Sequence, residues 1–251
     1  TGSLVAKAIR ADIYENWTDV SGCLICDPRI VNNPEPIKTI TYRELRELAY
    51  MGATVLHEDA IFPVRAAGIP VNIKNTNCPQ DRGTMIVSET AEPCEHIITG
   101  IAGKKGMSVI NIEKDKMNSE VGFGRNVLRA LEKSNVSFEH MPSGVDTMSV
   151  VIATEALAGK ETAIIDEIKS RVHPDQIYIE SNLALIAVVG RGMKSARGTA
   201  AILFSALADA RVNIKMIDQG SSELNIIIGV AEEDFEVAMK AIYNAFIKVK
   251  K

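Results

Sequence analysis

Two short polar stretches near the start of the chain carry the residue types that a nucleotide phosphate site needs. Thr18 and Asp19 end a β-type run that starts at Ile13, and Arg29 follows Asp27 after a proline-marked turn. A carboxylate at the carboxyl end of a strand and a nearby guanidinium suit this chemistry, because arginine binds phosphate bidentately and keeps its charge. The alternative is a turn that is stabilised by an Asp27–Arg29 pair. Spacing alone favours this alternative, since no Walker loop or dinucleotide fingerprint accompanies these residues.

A second group of residues has the chemistry to capture a free amino acid. Met117 and the glycine turn 122–124 come before a helical pattern, and the N–H groups at a helix N-terminus can bind a carboxylate. Glu139, on the strand that follows, is suited to accept a hydrogen bond from an amine. Lys215 occupies the same column in a second copy of this segment, and this reversal of charge favours the first copy for a cationic ligand such as lysine. The alternative is that the glycines only serve tight turns and that Glu139 is a solvated strand residue.

The cysteines and histidines predict neither a metal centre nor a nucleophile. Cys23 and Cys26 form a C-x-x-C pair, but no second pair at zinc-finger spacing completes it. The four histidines are scattered, without a nucleophile and an orienting acid in a recognisable pattern. We therefore expect these residues to be structural or to lie at the surface, and we assign no metal ligands and no catalytic residues.

The elements that position the amino-acid candidates occur twice. The segment from Ser108 aligns without gaps with the segment from Ala184 at an offset of 76 residues, which brings Met117 onto Met193 and Gly122 onto Gly198. Each copy predicts a strand, a glycine-rich turn, a helix with one apolar face and two further strands. Such units form sheets that are covered by helices on one side.

The segment before the repeats predicts part of an α/β layer. Thr41 and Glu44 form a capping-box pattern at the start of a helix, and a second helix is predicted from about Glu58 to Ala67. The polar, acidic stretch from Ser88 to Glu95 predicts a linker. The strand that starts at Ile97 has no counterpart at the 76-residue offset, so we expect it to complete the sheet of the other copy.

Length and charge limit the remaining possibilities. The 251 residues are enough for two or three small cores, and the net charge of −4 gives no basic footprint for nucleic acid. No apolar run approaches the length of a membrane span, and no charged-then-apolar leader opens the chain. Four cysteines are few for this length and fit a reducing compartment. We therefore expect a cytoplasmic protein without nucleic-acid or membrane partners.

Four ordered motifs in the first part of the chain resemble the C-terminal part of an aspartate kinase catalytic domain. They are Trp17-Thr-Asp-Val-Ser-Gly, Asp27-Pro-Arg-Ile-Val, Ile40-Thr-Tyr-Arg-Glu-Leu-Arg-Glu-Leu-Ala and Met51-Gly-Ala-Thr-Val-Leu-His. The repeats, with Gly190-Arg-Gly-Met-Lys-Ser and Val212-Asn-Ile-Lys-Met-Ile, resemble the paired ACT domains of that family. The resemblance covers essentially the whole chain.

The resemblance implies ATP-dependent phosphorylation of the β-carboxylate of aspartate in lysine and related amino-acid biosynthesis, with allosteric feedback control by lysine or threonine bound to ACT domains. It implies the C-terminal piece of an amino-acid kinase α/β fold at residues 1–88 and a linker at 89–96. Two ferredoxin-like (βαββαβ) ACT domains would follow at 97–175 and 176–251, where the first can exchange a strand with the second. ATP with Mg²⁺ is the implied cofactor of the full-length enzyme, and no tightly bound cofactor is expected here. A homodimer through the ACT domains is expected, because open sheet edges invite pairing with another copy.

The resemblance also implies roles for individual residues. Thr18 and Asp19 would lie at the base and ribose end of the nucleotide, and Arg29 would lie beside the phosphates. Leu24 replaces a tyrosine of many family members and Thr54 replaces a lysine, which removes an aromatic contact and a positive charge from the nucleotide site. The implied effector-binding residues are Met117, Gly122, Phe123, Gly124, Glu139, Ser143 and Gly144.

Catalytic competence is expected to depend on residues that precede this sequence. The Lys-Phe-Gly-Gly segment of the family and its substrate-binding residues would lie before Thr1, so the chain alone is expected to be inactive as a kinase. The alternative function is that of a free-standing amino-acid sensor, in which the α/β segment serves only as a docking platform.

Overall fold

The structure is a computed structural model, and it describes residues 1–53, 58–90 and 94–248. The strands in these ranges are β1 (Tyr14–Thr18), β2 (Thr39–Thr41), β3 (Val71–Asn75), β4 (Thr84–Val87), β5 (Gly100–Glu113), β6 (Thr147–Ala153), β7 (Gln176–Val189), β8 (Ile214–Asp218) and β9 (Asn225–Ala231). The helices are α1 (Gly2–Ala8), α2 (Tyr42–Tyr50), α3 (Glu58–Ala66), α4 (Phe123–Lys133), α5 (Thr154–Leu157), α6 (Glu161–Val172), α7 (Thr199–Asp209) and α8 (Phe235–Tyr243). The predicted mixed α/β class is confirmed.

The first four strands form one small sheet in the order β1-β3-β4-β2. Strand β1 runs parallel to β3, β2 runs parallel to β4, and β3 and β4 are antiparallel. Helix α2 begins where its sequence predicts, because Thr41 and Glu44 cap each other: the Glu44 N–H donates to Thr41 Oγ1, and the Thr41 N–H donates to Glu44 Oε2. Leu45 and Leu48 of this helix are buried.

The remaining five strands form one antiparallel sheet in the order β6-β5-β7-β9-β8. Strands β5 and β7 are each 14 residues long, and each serves both copies of the repeat. Residues 107–113 of β5 pair with β6 and with the first half of β7, whereas residues 100–104 pair with 185–189. The strand predicted from Ile97 therefore pairs with the second copy, as expected.

The regular pairing of the long sheet is interrupted where its two halves meet. The pairing of β5 with β7 shifts register between Lys104 and Met107 and again between Met107 and Val109. Gly106 and Asn182 lie at this level on adjacent strands with φ values of +76° and +60°. Bulges of this kind bend a sheet. We call the part built on 107–113, β6 and 176–181 the first half-sheet, and the part built on 100–104, 183–189, β8 and β9 the second half-sheet.

Helices cover one face of each half-sheet and form two buried clusters. Helices α4 and α6 close a cluster over the first half-sheet that includes Ile110, Ile112 and Val150. Helices α7 and α8 close a second cluster over the second half-sheet, and this cluster continues into the α2 segment through residues such as Leu48. The first α/β layer and the second half-sheet thus share one core.

The C-terminal helix changes its geometry near its end. Helix α8 is α-helical to Tyr243 and continues as a π-helical segment, Asn244–Lys248. One face of it is buried, with Phe235, Ala238, Met239, Ile242 and Phe246. The expected linker at 89–96 lies partly outside the described residues, and Thr54 lies wholly outside them.

Candidate functional site

The residues proposed for nucleotide binding lie at the carboxyl end of β1 and in the loop after it. Thr18 Oγ1 donates to Asp19 Oδ1 over 3.1 Å, and the Thr18 carbonyl accepts from the Thr76 N–H over 2.8 Å. Arg29 does not reach these residues through a hydrogen bond. Its side chain is 86% exposed and binds Asp27 with two nitrogens, at 3.0 Å from Nε and 2.7 Å from Nη2. The Asp27–Arg29 pair that spacing alone favours is therefore present.

A groove of about 600 Å³ connects this loop with the second half-sheet. One wall carries Val20, Leu24 and the Asp27–Arg29 pair, and the other carries Lys105 and α8. Thr18 and Asp19 directly precede Val20 at the edge of the groove. The hydrogen bond from Arg29 lowers the pKa of Asp27 against the opposing effect of burial, so the carboxylate stays charged at neutral pH.

Two loops of the first copy bring together most of the residues that are predicted to bind an amino acid. The loop with the 3₁₀ turn Met117–Ser119 is joined to the hairpin between Ser143 and Met148 by three hydrogen bonds. The N–H groups of Lys114 and Lys116 donate to the carbonyl and Oδ1 of Asp146 over 2.9 and 2.8 Å, and the Asn118 N–H donates to the Val145 carbonyl over 3.1 Å.

The start of α4 completes this group of residues. Gly122 is the N-cap with φ of +86°, and no side chain caps the helix. Phe123 is buried, and a Cβ at Gly124 would lie 3.6 Å from the Met148 side chain, which places the helix start against the hairpin. We call Met117, Gly122, Phe123, Gly124, Ser143 and Gly144 the loop cluster. Its uncapped N–H groups carry the positive end of the helix dipole and suit a carboxylate.

Glu139 is separated from the loop cluster. It lies on the extended segment beside β6, four residues before Ser143, which is about 13 Å along a strand. Its carboxylate accepts a hydrogen bond from Lys104 Nζ over 2.6 Å and another from the Tyr50 hydroxyl. Burial would raise the pKa of Glu139, but these hydrogen bonds lower it. Glu139 therefore joins the first copy to the end of α2.

The same turn of the second copy has a different environment. Gly198 caps α7 with φ of +84° and again without a side-chain cap, but Gly124 is replaced by Ala200. Lys215, in the column of Glu139, is bound by Glu180 over 2.8 Å. The two copies thus share a backbone and differ in charge, as their sequences predict.

A buried carboxylate joins the kinase-like segment to the repeats, and the sequence alone does not reveal this role. Glu44 has no exposed surface, and it accepts hydrogen bonds from Thr99 Oγ1 at 2.6 Å and the Arg191 N–H at 2.8 Å. Arg191 Nη1 adds an ion pair at 3.1 Å. Burial alone would raise the pKa of Glu44, but the hydrogen bonds from Thr99, Thr41 and Arg191 lower it. The capping box marks Glu44, but no local pattern marks its distant partners.

Burial affects both thiols of the C-x-x-C pair. Cys23 and Cys26 are buried free thiols, and burial raises the pKa of Cys23 to about 12 and that of Cys26 to about 11. Among the described residues, no group of three or more histidine, cysteine, aspartate or glutamate side chains is placed to hold a metal ion. The helices in the described ranges also include none with the length and apolar character needed to cross a membrane.

Two family models match separate parts of the chain. The amino acid kinase family matches residues 1–75, and the ACT domain matches residues 186–246. The first match covers the β1–β3 layer with the candidate phosphate residues. The second covers α7, β8, β9 and α8.

Similar proteins match over nearly the whole chain. Aspartokinase 3 of Bacillus subtilis is 43% identical over 98% of this chain and 54% of its own length. The crystal structure of Clostridium acetobutylicum aspartate kinase superposes with a TM-score of 0.93 at 59% identity, over 98% of this chain and 57% of that one. Two structures of E. coli aspartokinase III, each 26% identical over 98% of this chain and 54% of that one, superpose with TM-scores of 0.80 and 0.77. The first is a complex with aspartate and ADP, and the second is a complex with lysine and aspartate. The chain spans about half the length of these relatives.

Proposed function

Because the chain belongs to the aspartokinase family, we propose that it forms the regulatory part of an aspartate kinase together with one side of its nucleotide site. The reaction is the ATP-dependent phosphorylation of L-aspartate to 4-phospho-L-aspartate, with Mg²⁺ accompanying the nucleotide. The observation that carries this proposal is the shared core: the kinase-type layer and the second half-sheet meet through Glu44, Thr99 and Arg191. A displacement of Thr99 or Arg191 in the ACT region would therefore move α2 through Glu44.

The effector is lysine or threonine, bound at the loop cluster of the first copy. Its carboxylate binds the N–H groups at the start of α4, where Gly122 and Gly124 leave room for close approach. Its ammonium faces Asp146 on the hairpin, because Glu139 is bound by Lys104 and Glu120 is bound by Lys114. The lysine complex of E. coli aspartokinase III supports an amino-acid effector in this family.

On the nucleotide side, Thr18, Asp19 and Arg29 border the groove beside the second half-sheet. For Arg29 to hold a phosphate, its guanidinium must turn away from Asp27, and its high exposure permits this movement. We place the homodimer contact on the ACT sheet and the enzyme in the cytoplasm. Sedimentation at micromolar concentration checks the dimer.

Matched glycine and alanine positions in the two copies test the effector site. Gly124→Leu places a bulky side chain in the loop cluster, and Ala200→Leu places the same side chain at the equivalent turn of the second copy. Titration calorimetry should show saturable lysine or threonine binding to the unmodified chain and to Ala200→Leu, and none to Gly124→Leu. Equal loss in both variants, or binding that survives in Gly124→Leu, would contradict the assignment.

The kinase reaction itself is tested on the natural gene product. We expect ATP-dependent and aspartate-dependent formation of aspartyl phosphate that the effector inhibits. Effector binding without any such activity would instead favour a free-standing amino-acid sensor.

A further inference from the structure

A cavity of about 170 Å³ lies between the two half-sheets, on the side away from α4 and α6. The register shifts near Gly106 and Asn182 separate the two half-sheets, and on this side Val109 and Val151 of the first half-sheet share one buried cluster with Leu185 of the second. The apolar lining of the cavity comes from both halves, with Val109 and Val151 on one and Leu185 on the other. Pro142 of the lining directly precedes Ser143 of the loop cluster, but the two sites belong to different cores. Met117 and Phe123 of the loop cluster pack in the core under α4 and α6, whereas Val109, Val151 and Leu185 belong to the other core.

Two pairs of polar side chains, which we call ties, connect the two half-sheets across the cavity. Near the register shifts, Glu180 of the first half-sheet pairs with Lys215 of the second over 2.8 Å. At the outer edges, His140 Nδ1 lies 2.9 Å from Asp218 Oδ2. Both charged groups of the first tie line the cavity, whereas Pro142 and Ile217, neighbours of the second tie, line its other end.

Several polar groups at the cavity retain hydrogen-bonding capacity. Asn111 Oδ1 accepts from Ser149 Oγ over 2.9 Å, which leaves the Asn111 amide group as a donor at the cavity wall. His140 lies two residues before Pro142 and so on the same face of its extended segment. Its Nε2 is buried without a hydrogen-bond partner within the described part of the chain. Buried polar atoms are usually paired, so His140 carries an unsatisfied polar atom two residues from Pro142 of the cavity lining.

Size and charge together select the class of ligand. The volume is far above what one water needs, and it is below the roughly 300 Å³ at which cavities for drug-sized ligands begin. The lining carries one carboxylate and one ammonium, so a ligand with two like charges would meet one repulsive partner. A zwitterion satisfies both, and the valine and leucine walls favour a short aliphatic side chain.

We propose that this cavity is a second amino-acid site, which takes a small aliphatic α-amino acid such as valine. The ligand carboxylate binds Lys215, its ammonium binds Glu180, and its side chain packs against Val109 and Val151. The Glu180–Lys215 pair is partly exposed and therefore weak, so exchanging it for two pairs with the ligand costs little. A bound ligand bridges the two half-sheets and fixes the angle between them.

Calorimetry with L-valine on the unmodified chain tests the proposal. We expect saturable binding at millimolar concentrations, and no binding of valine amide or N-acetylvaline, each of which lacks one of the two charges. Glu180→Gln and Lys215→Met should each weaken binding by about tenfold or more, since each removes one charge-assisted contact. Ser149→Leu fills the cavity and should abolish binding.

Three controls distinguish this site from the loop cluster and from a general loss of folding. Glu167→Gln removes a carboxylate from the ion pair with Lys133 on the far side of the sheet and should leave valine binding unchanged. Gly124→Leu should also leave it unchanged, whereas it removes lysine or threonine from the loop cluster. Circular dichroism verifies that each variant is folded. The proposal is overturned if valine does not bind, if Ser149→Leu binds it normally, or if Gly124→Leu abolishes its binding.

Discussion

Replacing Glu44 is expected to destabilise the chain far more than replacing an exposed carboxylate. The side chain is fully buried and holds Arg191, which is only 19% exposed, in an ion pair. Glu44→Ala leaves that guanidinium and the Thr99 hydroxyl without their acceptor. Breaking a buried pair in this way costs about 3–5 kcal/mol. For a chain of this size each kcal/mol lowers Tm by roughly 2–4 °C, so the expected loss is about 6–20 °C.

A double-mutant cycle isolates the pair from the helix cap. Glu44→Gln keeps the shape of the side chain and loses its charge, with an expected cost of about 1–3 kcal/mol. Arg191→Met removes the cation and keeps much of the apolar stem. If the two residues are coupled as the geometry indicates, the double variant is less destabilised than the sum of the singles by about 0.5–3 kcal/mol.

Thermal and urea unfolding, followed by circular dichroism at neutral pH, measure these differences. Glu95→Gln, which removes one half of the exposed Lys38–Glu95 pair, is the control and should cost about 0–1 kcal/mol. The folded-state pKa of Glu44 is lowered below its ordinary 4.5, so its contribution is full above that pH and is lost as the pH falls through the folded-state value. A cost of Glu44→Ala no greater than that of Glu95→Gln, or an additive cycle, would show that the buried pair does not hold the two segments together.

Three further outcomes follow from single sites. Cys78 should react with iodoacetamide well before Cys23, whose thiol pKa of about 12 keeps it protonated, and peptide mass spectrometry measures the order; equal rates would contradict it. Glu139→Gln should lower stability above pH 4.5, and its difference from the unmodified chain should shrink as the pH falls through the lowered pKa of Glu139; a difference that grows in acid would have the wrong sign. In urea unfolding, Gly83→Ala should destabilise the chain more than Gly159→Ala. Both glycines have positive φ, but a Cβ at Gly83 would lie 2.0 Å from a carbonyl oxygen, whereas a Cβ at Gly159 would meet open space. Equal costs of the two substitutions would contradict this reasoning.

Local patterns in the sequence predict the elements well, because their causes are local. The capping box joins Thr41 to Glu44, three positions later, and the helix begins there. The glycine turns at Gly122 and Gly198 require positive φ, and both have it. The strand predicted from Ile97 is assigned to the other copy only by elimination, and the pairing of residues 100–104 with 185–189 agrees.

Relations across long stretches of chain cannot be predicted in this way. Arg191 lies 147 residues from Glu44, and no periodicity connects them. The repeat groups Glu139 with the loop cluster, whereas in the structure its carboxylate accepts a hydrogen bond from Lys104. The cavity between the half-sheets depends on two bulges on adjacent strands, and a bulge at Asn182 has no clear signature inside a polar strand segment.

Hydrogen exchange with and without effector shows whether the first copy is the regulatory site. Mass spectrometry of peptides from the chain in saturating lysine or threonine should show slower exchange in residues 117–125 and 143–148. The equivalent turn of the second copy, residues 193–201, should be unchanged. Protection confined to 193–201, or no protection of either turn under both amino acids, would rule out an effector site at the loop cluster.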